Sequence, residues 1–112
     1  MINYNNKKFR PVKNSQNGET TEETVFLYKQ KGDILTAEYQ GGDIKKGLLI
    51  GLIDNNGGID MRYQQVNSKG ELMTGVCLSK PELMPNGKIR LHEKWQWTSG
   101  NQSRGESILE EF

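Results

Sequence analysis

The stretch Gly58-Ile59-Asp60-Met61-Arg62-Tyr63-Gln64-Gln65-Val66-Asn67-Ser68, then Lys69-Gly70, then Glu71-Leu72-Met73-Thr74-Gly75-Val76-Cys77-Leu78, decides the fold. Ile59, Met61 and Tyr63 alternate with Asp60, Arg62 and Gln64, the period of two that puts apolar side chains on one face of a strand. Lys69-Gly70 punctuates two such runs, and Gly accepts the positive φ that a tight hairpin demands.

The same rhythm continues in both directions. Turn residues recur at Lys31-Gly32-Asp33, Gly41-Gly42-Asp43, Asn55-Asn56-Gly57-Gly58, Pro85-Asn86-Gly87 and Ser99-Gly100-Asn101. Between them the spacing predicts about eight strands: 8–13, 24–30, 34–40, 43–54, 58–68, 71–78, 88–99 and 104–111. No segment holds a helical period, although Thr20 to Glu23 has the length of one turn.

Cross-strand partners share a face, so turn lengths fix register. Two-residue loops at Asn56-Gly57, Lys69-Gly70 and Asn86-Gly87 would set Ile50 opposite Tyr63, Tyr63 opposite Val76, and Val76 opposite Trp97. One face would then carry Leu48, Ile50, Leu52, Ile59, Met61, Tyr63, Val76, Leu78, Ile89, Leu91, Trp95 and Trp97. The other would carry Asp60, Arg62, Gln64, Arg90, His92, Lys94 and Gln96, with Cys77 also outward.

A twisted meander with one apolar face buries it by closing on itself. The expectation is an all-β chain, a small antiparallel up-and-down β-barrel forming a single domain over residues 1–112. A β-sandwich is the alternative, but it needs long crossovers, and only Asn14 to Glu23 is long. That loop is expected to be the most mobile. Closure between the first and last strands is open, because Ile108 and Leu109 compete for the inside of the last.

Composition bounds the function. Only 33% of the 112 residues are hydrophobic, so the core is thin, and 15 basic residues against 14 acidic leave a net charge of +1. A chain so balanced has no field to draw it to nucleic acid or to an anionic membrane, and neither is expected as a partner. The longest apolar run, 47–53, is far short of a helical membrane span, and the N-terminus has no apolar export-signal core. With a lone cysteine as well, the expectation is cytoplasmic.

Chemistry concentrates on the inner face. Glu93 lies between Leu91 and Trp95, and an unpaired buried carboxylate is costly, so it must be paired, neutralised, solvated or waiting for a ligand. Eight-stranded barrels either fill their interior or hold one small molecule among apolar walls with a few placed polar groups. Trp95, Trp97, Tyr63, Met61 and Val76 are the expected walls, and Glu93, Gln65 and Thr74 the polar anchors. One His and one Cys cannot supply a zinc site or a Cys/His pair, so no metal and no catalytic residue is expected. The Gly-rich turns lack a following helix to bind phosphate, and no cofactor is expected.

Asp60 to Asn67, Gly70 to Cys77 and Gly87 to Thr98, with Leu35 to Tyr39 and Gly105-Glu106-Ser107, resemble a family of short bacterial proteins often labelled N-acetylglutamate synthase. The resemblance implies acetyl transfer from acetyl-CoA to glutamate. Gln102-Ser103-Arg104-Gly105-Glu106-Ser107 echoes the Gln/Arg-x-x-Gly-x-Gly/Ala loop of acetyltransferases, but ends in Ser with only five residues after it. In shape the meander resembles calycin and avidin barrels, without the lipocalin Gly-x-Trp signature. The leading expectation is a binding module for a small, partly apolar molecule. The alternative is a filled barrel acting through the outward Arg62, Arg90, His92 and Lys94, and an acetyltransferase ranks third.

Overall fold

The computed structural model describes residues 2–112, and among them no helix is present. Eight strands follow in order: β1 Lys7–Asn14, β2 Val25–Lys31, β3 Ile34–Gly41, β4 Ile44–Ile53, β5 Ile59–Asn67, β6 Leu72–Leu83, β7 Ile89–Trp97 and β8 Arg104–Glu111. Each pairs antiparallel with the next, and β1 pairs with β8 to close the barrel. Leu109 takes the inside of β8, and a bulge between Pro11 and Lys13 lets β1 bend onto it.

Three hairpins differ from their predicted register by one residue. In each, a carbonyl four residues on accepts the strand-end N–H, as between Asp54 and Gly58, Asn67 and Glu71, and Met84 and Lys88. The loops are therefore three residues long, with Gly57, Gly70 or Gly87 at positive φ in the last position. A single-residue change inverts a strand, so β4 and β6 turn over while β5 and β7 keep their predicted faces. Leu49 and Gly51 pair with Tyr63 and Met61, and Gly75 and Cys77 pair with Trp97 and Trp95. Leu48, Ile50, Leu52 and Leu78 go outside, where Ile50 is 57% exposed against 7% for Leu49. Thr74 and Val76 also point out, and Cys77 is buried rather than outward.

Glycine explains why the inward set is the right one. Tyr39 pairs with Gly47, Tyr63 with Gly75, and Trp95 with Gly105. Each ring lies across its glycine so closely that a methyl group there would overlap it. An eight-stranded lumen has no room for a large side chain at every rung, and a bare backbone beside each ring solves that.

The two ends are built differently. At the base, Tyr4, Phe9, Leu35, Ile59, Ile89, Leu91 and Leu109 are each no more than 2% exposed. Tyr4, from the segment before β1, plugs this end, packing edge-on to Tyr28 and donating its hydroxyl to the Gly57 carbonyl. At the mouth lie the long β1–β2 loop and the β3–β4, β5–β6 and β7–β8 turns.

Candidate functional site

Aromatic rings wall the mouth half of the lumen. Phe26 stacks on Tyr39 at 4.4 Å, while Trp97 meets Tyr63 and Trp95 edge-on at 5.8 and 5.6 Å. Between them is a cavity of about 50 Å³, bounded by these rings, Tyr28, Met61, Glu93 and the underside of the β1–β2 loop. As it stands, that space suits a few water molecules or a few ligand atoms.

Glu93 forms its deep polar end. It pairs across the sheet with Ser79 on β6 and Ser107 on β8, and it is 8% exposed. Burial pushes its carboxyl up to about 7, against the downward pull of the two serine hydroxyls. Ser107 Oγ donates to Glu93 Oε1 at 3.2 Å, while the Ser79 hydroxyl, beside the same carboxyl, makes a weaker approach and no full hydrogen bond. Tyr28 is wholly buried and its hydroxyl is likewise unpartnered. Burial first, then the Glu93 charge, holds that phenol well above its ordinary pKa, so it stays a donor. Asn14 Oδ1, at the lip, is a third orphan.

Each orphan forfeits roughly 1–3 kcal/mol of hydration. Two of the three, Tyr28 and Asn14, line the one cavity, so its polar lining is only partly satisfied within the fold. Cys77 lines the same space, but burial pushes its thiol up and keeps it a protonated wall group.

A second polar group sits higher. Gln65 and Asn67 are each 3% exposed. Tyr39 Oη donates to Gln65 Oε1 at 2.8 Å, which turns the Gln65 amide nitrogen toward the mouth. There Gln65 Nε2 and Asn67 Nδ2 donate to the two oxygens of Glu19, at 2.8 and 2.7 Å. The β1–β2 loop, expected to be the most mobile segment, is therefore fastened down. Trp97 Nε1 donates to the Asn17 carbonyl at 3.0 Å, and Asn17 Nδ2 to Ser103 Oγ and the Arg104 carbonyl.

Of the eight residues read as interior, Glu93, Trp95, Trp97, Tyr63, Gln65 and Met61 come together around the cavity. Thr74 and Val76 do not, because their strand is inverted. Sequence reasoning missed Tyr28 and Tyr39, for which the alternations Phe26-Leu27-Tyr28 and Ala37-Glu38-Tyr39 were a usable signal. It also missed Ser79, Ser107, Asn14 and Glu19. The serines follow from register, and nothing in a loop sequence announces which side chain will turn inward.

The outer basic stripe is largely neutralised. Arg62 pairs with Asp60 at 2.6 Å, Arg90 with Glu110 at 2.7 Å and Glu82 at 3.5 Å, and His92 with Glu82 at 2.7 Å. The His92 hydrogen bond, more than any other neighbour, lowers the Glu82 carboxyl. The acetyltransferase-like run Gln102 to Ser107 enters β8 at Arg104, and among the described residues no helix follows it. None of the described residues forms a group of three or more His, Cys, Asp or Glu placed to hold a metal ion.

A family model described as avidin-like protein matches residues 2–112. No curated protein and no solved structure matches the chain.

Proposed function

The chain belongs to the avidin-like protein family, and from that membership and the half-satisfied polar cluster together we propose that it binds a small molecule in the mouth half of its barrel. The observation that carries this reading is the trio of Glu93, Tyr28 and Ser107: three buried polar side chains lining one aromatic-walled cavity, with the Tyr28 hydroxyl left without a partner. A filled barrel would gain by making such groups apolar. Glu93 near neutrality either donates or accepts, so with the two serines and Tyr28 it suits a ligand group that does both. Trp95, Trp97 and Tyr63 then enclose the apolar part.

Tryptophan fluorescence of the full chain tests it, with a metabolite panel that includes acetyl-CoA, glutamate and fatty acids, and with Glu93→Gln alongside. The expected result is a saturable spectral change, weakened in the variant. Emission that no compound moves would count against it.

A second reading, a barrel acting through its outer face, draws on one observation. Leu48, Ile50 and Leu52 lie exposed in a row on β4, with Ile34 paired beside Leu52. An unresponsive interior together with loss of self-association or partner capture in Ile50→Lys would favour it.

A further inference from the structure

The Glu19 carboxylate occupies a place that the rest of the barrel has prepared without it. Gln65 has its orientation fixed by Tyr39, whose hydroxyl is held in its protonated, donating form by burial. Asn67 is fixed from the other side, since its Oδ1 accepts the backbone N–H groups of Lys69 and Glu71. Both amide nitrogens therefore aim at the mouth whatever the loop does. They stand two residues apart on β5, and a two-oxygen acceptor spans them, one oxygen to each. If Glu19 leaves, Gln65 Nε2 loses its acceptor and Asn67 Nδ2 is left with Glu71 alone, which is costly unless another anion or carbonyl replaces it.

Glu19 is also the removable partner. It is carried by a partly exposed loop between β1 and β2, and its side chain, with Gly18 and Thr20, forms the roof of the cavity. The volume beneath, between that roof and the rings, is about 50 Å³, so a ligand larger than a few atoms needs the loop to lift. Glu71, exposed on the next turn, shares Asn67 Nδ2 at 2.9 Å, so a carboxylate seated there is held by the two amides against the repulsion of a second carboxylate. That hold is moderate and exchangeable.

We propose that Gln65 and Asn67 are a carboxylate-binding site for which Glu19 is the resident occupant, and that the barrel's ligand is a small carboxylic acid whose carboxylate displaces Glu19 as its apolar part packs against Tyr63 and Trp97. The inference rests on the reading that the barrel binds a small molecule. Lifting the loop also breaks the Trp97–Asn17 hydrogen bond, so occupancy is visible in the indole emission.

The test titrates the full chain with benzoate and hexanoate against benzamide and hexanamide, following tryptophan fluorescence in the wild type, Glu19→Ala and Gln65→Leu. The expected result is that Glu19→Ala binds the acids at least tenfold more tightly than the wild type, while the amides change less than twofold. Gln65→Leu is expected to lose the acids selectively. Circular dichroism checks that it folds; if it does not, Glu19→Ala decides alone, because its side chain sits in a loop outside the strands. Equal gains for acids and amides would overturn the proposal by making the loop a steric cover only. Binding of amides alone would overturn it while leaving the binding-barrel reading intact, and no binding of either class by any variant would remove both.

Discussion

The base of the barrel and its mouth are made from the same eight strands, yet they satisfy opposite requirements. At the base, Leu35, Leu91 and Leu109 meet Phe9 and Tyr4 with almost no exposure, and the Tyr4 hydroxyl has its acceptor. At the mouth, Gln65, Asn67, Glu93, Ser79 and Ser107 are buried among rings, and hydroxyls go unpaired. Burying a Leu contributes about 1.5–3 kcal/mol, whereas burying an unpaired hydroxyl costs a comparable amount. Stability thus comes from one end and chemistry from the other, which is how a thin-cored chain holds a polar cavity.

The sharpest way to break this contrast is to injure the base. Leu91→Ala should cost about 2–5 kcal/mol, read as a drop in the urea midpoint. A loss as small as that of a surface residue would mean that the base is not the stabilising end.

The next effect belongs to Glu93 and depends on pH. Its carboxyl lies near 7 when folded against 4.5 ordinarily, so the folded state keeps a proton that the unfolded state releases. The stabilisation is complete below pH 4.5, is lost as pH rises to about 7, and is level above that; its size is about 3 kcal/mol. Glu93→Gln should abolish this slope and be more stable than the wild type at pH 8. Parallel wild-type and variant curves between pH 4.5 and 8 would contradict the burial of Glu93.

A smaller effect is expected from Gly75→Ala. The added methyl group would overlap the Tyr63 ring, and strain of this kind costs about 1–3 kcal/mol. Tyr63 would press on Trp97, so the emission spectrum should shift as well. The smallest effect sharpens the register itself. Leu78→Ala, on the outer face, should change stability by no more than about 0.5 kcal/mol. A core-sized loss there would put Leu78 inside the barrel, the face that patterning alone assigns it.

Much of the fold was legible because turn chemistry and alternation are local. The meander, most strand limits and the inward faces of β5 and β7 follow from residues close in sequence, whereas the β1–β8 closure joins the two ends of the chain and β6 runs on to Leu83 past the expected end at Leu78. The faces of β4 and β6 misled for a physical reason. Leu48, Ile50 and Leu52 form a more apolar set than Gly47, Leu49 and Gly51, and patterning alone sends the leucines inside. The lumen decides otherwise, since it needs glycine beside Tyr39, Tyr63 and Trp95 more than it needs another Leu. Aligning those three rings with Gly47, Gly75 and Gly105 would have fixed the register. At the site, Glu93 and the tryptophans were legible from the alternation of β7. The Glu19 contact was not, because it joins a loop to β5 across 46 positions of sequence.

The most direct test of the central reading is a nuclear magnetic resonance titration that watches both ends at once. The probes are the two indole N–H signals at the mouth and the methyl signals of Ile59, Ile89, Leu91 and Leu109 at the base, recorded against the metabolite panel. The expected result is a compound that moves the Trp95 and Trp97 indoles to saturation while the base methyls stay in place. Shifts confined to outer-face residues such as Ile50 and Leu52, with both indoles unmoved by every compound, would contradict a ligand in the mouth.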